Sequence, residues 1–259
     1  AEYYNKLNND QSLPLFNNAT QAQKAPGSTF KPIIAVAALE EGVIGLNDTV
    51  NCTGIYKEIS PALRCWIYPG QHGPLDVVHG IQNSCNVFFS EMGHRLSMDE
   101  NGNYSPELGI EKIRKYASLF GLDETSGIEI AEREPQMTTE KPEASSIGQG
   151  KNSYSNVQLS RYITAVANKG TVYKLSLLDK MTDSQGNLLK DFTPEIRSTI
   201  DVKDSTWNAV HTGMRRVISD GSARKIFSDL EVDIAGKTGT AEEIKNGHRI
   251  NHAFFVSFA

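Results

Sequence analysis

"APGSTFKPIIAVAALEEG" (residues 25–42) carries a serine and a lysine three positions apart where a polar loop gives way to an apolar run. Lys31 is followed by Pro32, Ile33, Ile34, Ala35, Val36, Ala37, Ala38 and Leu39, so its helix is apolar on nearly all sides and expected to be buried. A lysine that only needed solvent would not open such a helix. Positions i and i+3 share a helix face, so the Lys31 amine can reach the Ser28 hydroxyl. Burial pulls a lysine from a pKa of about 10.4 toward neutrality, which makes it a usable base. Serine is a poor nucleophile without one. The free N–H groups at a helix start also favour an oxyanion forming there.

Spacing alone decides little, because roughly one Ser-x-x-Lys arises by chance in a chain of this size. The chain supplies a second copy, Ser222 and Lys225 in "GSARKIFSDLE", with no buried helix after it. Two other segments supply context. "NSCN" (83–86) offers Ser84, whose hydroxyl can pass a proton, and Asn86, whose amide can hold a peptide carbonyl; alone it reads as an inter-helix turn. "AGKTGTAEE" (235–243) offers the Lys237 cation and the Thr238 and Thr240 hydroxyls along a strand, suited to a carboxylate, with Gly239 letting a ligand backbone lie close. A phosphate-binding loop would need glycine at position 231, where Glu231 stands.

The 259 residues suit one large domain or two small ones. A hydrophobic share of 39% and a charged share of 22% describe a globular chain. The net charge of -5 argues against a nucleic-acid partner. No apolar run is long enough to span a membrane. No signal peptide is read, and any export segment is expected to lie outside the chain. Cys52, Cys65 and Cys85 lack paired zinc-ribbon spacing. With His72 they form a series that could hold a metal, but a Cys52 to Cys65 disulfide or buried thiols are the favoured readings, and neither a metal nor a cofactor is expected.

Local patterns predict an extended approach over the first 24 residues, a helix from Ser28 to Gly42, and loops with short elements over 43–75. A helix beginning near Asp76 breaks at "NSCN" and resumes. Ser105 caps a helix that ends at Gly121. Ser155 and Gln158 form a capping box for a helix closed by Gly170. Residues 171–192 read as a hairpin, "STWNAVHTGMRRVISDG" as a helix, and the C-terminal stretch as two strands joined through Asn246 and Gly247.

"PGSTFKP", "RCW" followed by "GQHG", "NSCN", "SIGQG" and "AGKTGTAEE", in this order, resemble the serine penicillin-recognising enzymes. More narrowly they resemble the transpeptidase domain of class B penicillin-binding proteins of the elongation type. Asn18 and Lys24 depart from the family's common residues, at positions expected to affect loop anchoring more than chemistry.

The resemblance implies an α+β fold, an α/β sandwich of the β-lactamase/transpeptidase type, with an antiparallel sheet packed with helices and a mostly helical subdomain. Residues 1–259 would be one transpeptidase domain, truncated at both ends, from a longer exported, membrane-anchored protein. It implies Ser28 as acylated nucleophile, Lys31 as its base, Ser84 as proton relay supported by Lys237, and Asn86 as holder of the donor peptide. Thr238, Gly239 and Thr240 would bind the terminal carboxylate, and the Ser28 and Thr240 backbone N–H groups would form the oxyanion hole. The reaction implied is D,D-transpeptidation: a D-Ala-D-Ala stem peptide acylates Ser28 and an acceptor amine resolves the ester, with β-lactams stalling at that stage. The implied place is the outer face of a bacterial membrane, and the implied partner a membrane glycosyltransferase of the shape-elongation-division family. A serine β-lactamase and a non-catalytic β-lactam sensor share the motifs. The Glu-x-x-Leu-Asn string of class A hydrolases does not occur in the chain, whereas a class D solution stays open.

Overall fold

A computed structural model describes residues 2–245 and 247–259. In chain order, α1 is Glu2–Asn8, β1 Gln23–Lys24, then a 3-10 turn Gly27–Phe30 running into α2, Lys31–Glu40. Four short strands follow: β2 Val50–Cys52, β3 Ile55–Tyr56, β4 Leu63–Arg64 and β5 Gly73–Leu75. The helical part comprises α3 Val77–Gln82, α4 Asn86–Leu96, α5 Pro106–Leu119 and α6 Pro142–Ser145. Then come β6 Tyr154–Ser155, α7 Asn156–Ala167, β7 Thr171–Lys174, β8 Lys180–Thr182, β9 Leu188–Asp191 and β10 Glu195–Thr199. The chain closes with α8 Asp204–Ser219, α9 Arg224–Phe227, β11 Ala235–Lys245 and β12 His248–Phe258.

The core is organised around α2, whose residues 31 to 39 are all buried. A helix apolar on every side has no face for solvent, so other elements enclose it. It packs against α4, α5 and α8. Each fully buried Ile or Val contributes about 2 kcal/mol relative to exposure. The described strand pairs are all antiparallel, and the longest is β11 with β12, in unbroken register from Ala235 opposite Phe258 to Lys245 opposite His248. β11 lies against the 3-10 turn and α8. This is the mixed helix and antiparallel-strand architecture that the resemblance implies.

Most local predictions hold with their stated causes. Asp76 accepts from the His79 N–H to start α3, Ser105 from the Leu108 N–H to start α5, and Ser155 and Gln158 form the reciprocal cap of α7. Two predictions are corrected. The N-terminal stretch is not wholly extended: residues 2 to 8 form α1, with Glu2 in its first turn and Lys6 in its last complementing the helix dipole, and none of them buried. The hairpin predicted over 171–192 is narrower. β8 and β9 form it, around Asp183 and Gly186, while β7 pairs instead with β10. Between β7 and β8, the Glu129 carboxylate takes the Leu177 N–H and the Ser176 hydroxyl, which interrupts the run of strand. The hairpin joining β11 to β12 forms as predicted at Gly247 (φ +76°), while Asn246 lies outside the described residues.

Candidate active site

Three segments far apart in sequence meet at the start of α2. Gly27 takes a left-handed conformation (φ +55°), and a Cβ there would lie 2.5 Å from the Thr240 carbonyl oxygen. Its N–H donates to the Gly148 carbonyl at 3.0 Å. Gly239 approaches equally closely, since a Cβ on it would lie 2.8 Å from Thr29 Cγ2 and 3.0 Å from the Pro26 carbonyl. The "SIGQG" loop on one side and the Lys-Thr-Gly strand on the other thus hold the turn that bears Ser28, and each contact requires the absence of a side chain. Ser28 itself is half-buried.

The Ser-x-Asn segment closes the other side. Ser84 sits in the break between α3 and α4 with φ +50°, a conformation that costs a non-glycine residue free energy and recurs at functional sites. Its hydroxyl is the meeting point of two amines: Lys237 Nζ donates to it at 2.7 Å and Lys31 Nζ at 3.3 Å. Lys31 Nζ also donates to the Ser84 carbonyl and to Asn86 Oδ1, both at 2.8 Å. Asn86 Nδ2 in turn donates to the Arg64 carbonyl at 3.1 Å, which fixes the amide's orientation. Among the described residues Ser28 Oγ makes no hydrogen bond, so in this arrangement the Lys31 amine rests on Ser84 and Asn86 rather than on Ser28.

Both lysines are fully buried. Burial lowers Lys31 to about 8, against an opposing pull from Cys85 and Cys65. Burial likewise pushes Lys237 well below the usual lysine range, and the Lys31 charge pushes it further. Neither amine has a carboxylate partner among the described residues. Two cations around one hydroxyl repel each other, so the pair favours a state in which one is neutral. Such a pair can take a proton from an adjacent alcohol and pass it through Ser84.

Thr238 and Thr240 alternate along β11, the first half-buried and the second exposed. The sequence reading missed two of their neighbours. Ser222 Oγ lies 3.0 Å from Thr238 Oγ1, although its Ser-x-x-Lys spacing was set aside as accidental. Gln149 Nε2 donates to the Thr240 carbonyl at 3.4 Å.

Of the two favoured readings of the cysteines, the structure shows buried thiols. All three are free thiols, so the Cys52 to Cys65 disulfide does not form. Instead Cys52, Cys65, Cys85 and His72 converge, with their four donor atoms within 4.8 Å of one another. His72 Nδ1 lies 3.5 Å from Cys52 Sγ and 3.7 Å from Cys65 Sγ, and Cys65 Sγ lies 3.9 Å from Cys85 Sγ. A tetrahedral zinc ion bound at 2.0–2.3 Å has ligand-to-ligand edges of about 3.3–3.8 Å, so the donor chemistry suits such an ion and the wider separations would have to contract onto it. The contact with Cys85 pulls the Cys65 thiol down toward the thiolate that a metal requires. Cys85 stands between Ser84 and Asn86, so whatever holds its sulfur also holds the loop that bears them. The four residues of the series read from the sequence come from β2, the segment after β4, the approach to β5 and the start of α4.

The model of the penicillin binding protein transpeptidase domain matches residues 2–259. The peptidoglycan D,D-transpeptidase MrdA of Haemophilus influenzae is 28% identical over 295 residues, which cover 100% of this chain and 42% of the relative. Its counterpart in Escherichia coli K12 is 29% identical, covering 99% of this chain and 43% of the relative. Among solved structures, a peptidoglycan synthase complex that coordinates polymerization and crosslinking superposes with a TM-score of 0.82 at 26% identity, over 95% of this chain and 41% of that one. Penicillin-binding protein 2 of Pseudomonas aeruginosa, in complex with WCK 5153, superposes with a TM-score of 0.80 at 26% identity, over 100% of this chain and 58% of that one. The chain therefore spans less than half the length of the curated relatives it matches. With the family's model running over nearly every residue and its motifs gathered at the start of α2, the chain belongs to the transpeptidase family of penicillin-binding proteins.

Proposed function

We propose that the chain, as one transpeptidase domain over residues 1–259, cross-links peptidoglycan stem peptides through an acyl-enzyme on Ser28. The observation that carries this reading is the convergence of Lys31 and Lys237 on the Ser84 hydroxyl, beneath the turn that bears Ser28. Neutral Lys31 takes the Ser28 proton as Oγ attacks the carbonyl between the two terminal D-alanines. The tetrahedral oxyanion is held by the backbone N–H groups of Ser28 and Thr240. Collapse breaks the C–N bond, and the leaving D-alanine takes its proton from Ser84, which is resupplied through Lys31 with Lys237 stabilising the relay. Asn86 holds the donor peptide, while Thr238 and Thr240 hold its terminal carboxylate, over the side-chain-free Gly239. An acceptor amine then attacks the ester, gives up its proton by the same route and restores Ser28. A β-lactam enters the first half of this cycle and stops at the ester.

The relatives' names support this activity, and the solved synthase complex supports a membrane glycosyltransferase as partner and the outer face of the bacterial membrane as the place of work. Among the described residues no helix is long and apolar enough to cross a membrane. The test is to treat the protein with labelled penicillin, map the modified peptide and follow the label. A long-lived adduct on Ser28, together with amide formation from a D-Ala-D-Ala donor and an added D-amino acid, supports the transpeptidase. Rapid loss of the label identifies a hydrolase, and a stable label without amide formation identifies a sensor. Label retained in Ser28→Ala would end this reading.

A further inference from the structure

The segment after β4 forms the outer wall of the catalytic loop. The Arg64 carbonyl accepts from Asn86 Nδ2 at 3.1 Å, and Trp66 Nε1 donates to the Asn83 carbonyl, next to Ser84, at 2.8 Å. Along this wall the side chains alternate. Cys65 points inward to the thiol cluster at 2% exposure, whereas Arg64, Trp66 and Tyr68 are exposed. Trp66 is 60% exposed. An indole left in water forgoes the burial that a ring of its size ordinarily gains, yet this one does not hang free. Its N–H is tied to Asn83, and His72 meets it edge-on with ring centroids 5.4 Å apart. The Arg64 guanidinium lies over the Tyr68 ring, 4.8 Å from its centroid. Among the described residues Arg64 has no carboxylate partner, in a chain whose net charge is -5. A stacked guanidinium keeps its fork of donors open for bidentate pairing with a carboxylate.

We propose that Arg64, Trp66 and Tyr68 form a subsite for the part of the donor stem peptide upstream of its two terminal residues, with Trp66 stacking on aliphatic groups and Arg64 pairing with a side-chain carboxylate. This rests on the transpeptidase reading and extends it from the scissile bond to the rest of the donor. Charge complementarity selects the occupant: an unpaired cation beside a fixed aromatic face suits an anionic peptide with methylene-rich side chains. Because the wall is bonded to the loop that carries Ser84 and Asn86, a peptide seated on it is delivered in a fixed register to the serine. The side chains are already ordered, so little rotamer freedom is lost on binding.

The experiment measures the second-order rate constant for acylation of Ser28 by mass spectrometry, using three probes. One is a synthetic pentapeptide ending in D-Ala-D-Ala with a glutamate upstream, the second is the same peptide with glutamine there, and the third is benzylpenicillin. In Trp66→Ala the pentapeptide-to-penicillin rate ratio falls about tenfold, the scale of one aromatic stacking contact. Trp66→Phe keeps a ring face but loses the N–H bond, and restores most of the ratio. Arg64→Gln abolishes the preference for the glutamate peptide over the glutamine peptide. The proposal is overturned if Trp66→Ala slows peptide and penicillin alike, or if Trp66→Phe falls as far as Trp66→Ala, since the indole would then act only by bracing the Asn83 turn. It is overturned equally if the wild type shows no preference between the two peptides. Penicillin labelling of Ser28 in each variant reports that the site is folded, and its absence in the wild type would sink the transpeptidase reading rather than the subsite.

Discussion

Ser28 with Lys31 and Ser222 with Lys225 have the same spacing, and the two places could hardly differ more. Lys31 is fully enclosed, with three oxygen acceptors and a second amine for company. Lys225 is exposed on α9, a helix with no buried residue. Identical spacing therefore encloses one amine, which is proposed as a base, and leaves the other in solvent. Burial lowers the pKa, and a stationary network of acceptors keeps the amine aimed. The second serine has a part nonetheless, through its hydroxyl's contact with Thr238.

The largest expected effect is at the nucleophile. Ser28→Ala abolishes covalent labelling by penicillin, a loss on the order of 10⁴-fold or more in acylation rate, while Ser222→Ala still labels at Ser28. Peptide mapping after labelling checks both. Next, Lys31→Gln slows acylation by about 10²–10⁴-fold, as expected for removal of a general base, whereas Lys225→Gln stays within about twofold; stopped-flow acylation rates decide this. Equal effects at the two lysines would erase the contrast.

The pH profile sharpens it further. In the proposed mechanism Lys31 acts as the neutral amine, and its pKa is lowered to about 8. Acylation should therefore rise with pH, about tenfold per unit well below pH 8, and level off above it; a flat profile from pH 6 to 9 would remove Lys31 as the base. Chelation tests whether a metal ion on the four donors holds the loop between the two amines. Purified protein should carry about one zinc per chain by atomic emission, with less in Cys85→Ala. A strong chelator should lower the melting temperature and slow acylation together. The smallest effect is at Ser222. Ser222→Ala should slow acylation by carboxylate-bearing donors about two- to tenfold, the range for one hydrogen bond, with Ser222→Thr restoring the rate.

The chemistry was legible in the sequence to the extent that it is local. A serine at the mouth of an apolar helix, the capping box at Ser155 and Gln158, and the Lys-Thr-Gly strand each declare themselves within a few residues. What escaped notice depends on where distant segments land. Cys52, Cys65, His72 and Cys85 stand in the sequence as a series that could hold a metal, but the meeting of their donor atoms depends on packing. Ser222 acquires its neighbour from the packing of β11 beside α8. β7 chose β10 over the nearer β8 because side-chain bonds from Glu129 broke the intervening strand. The alternation of Arg64, Trp66 and Tyr68 was in plain view, but exposure gives it meaning, and exposure is a property of the folded surface.

The turn at Gly27 carries a consequence for how the molecule matures. Its left-handed kink is wedged between residues that arrive more than a hundred positions later, Gly148 and then Thr240. A nascent or half-assembled polypeptide consequently displays nothing more than an ordinary alcohol at position 28. On the proposed acylation of Ser28, capture of a fluorescent antibiotic would mark completion of folding, counting finished molecules and ignoring those still under way.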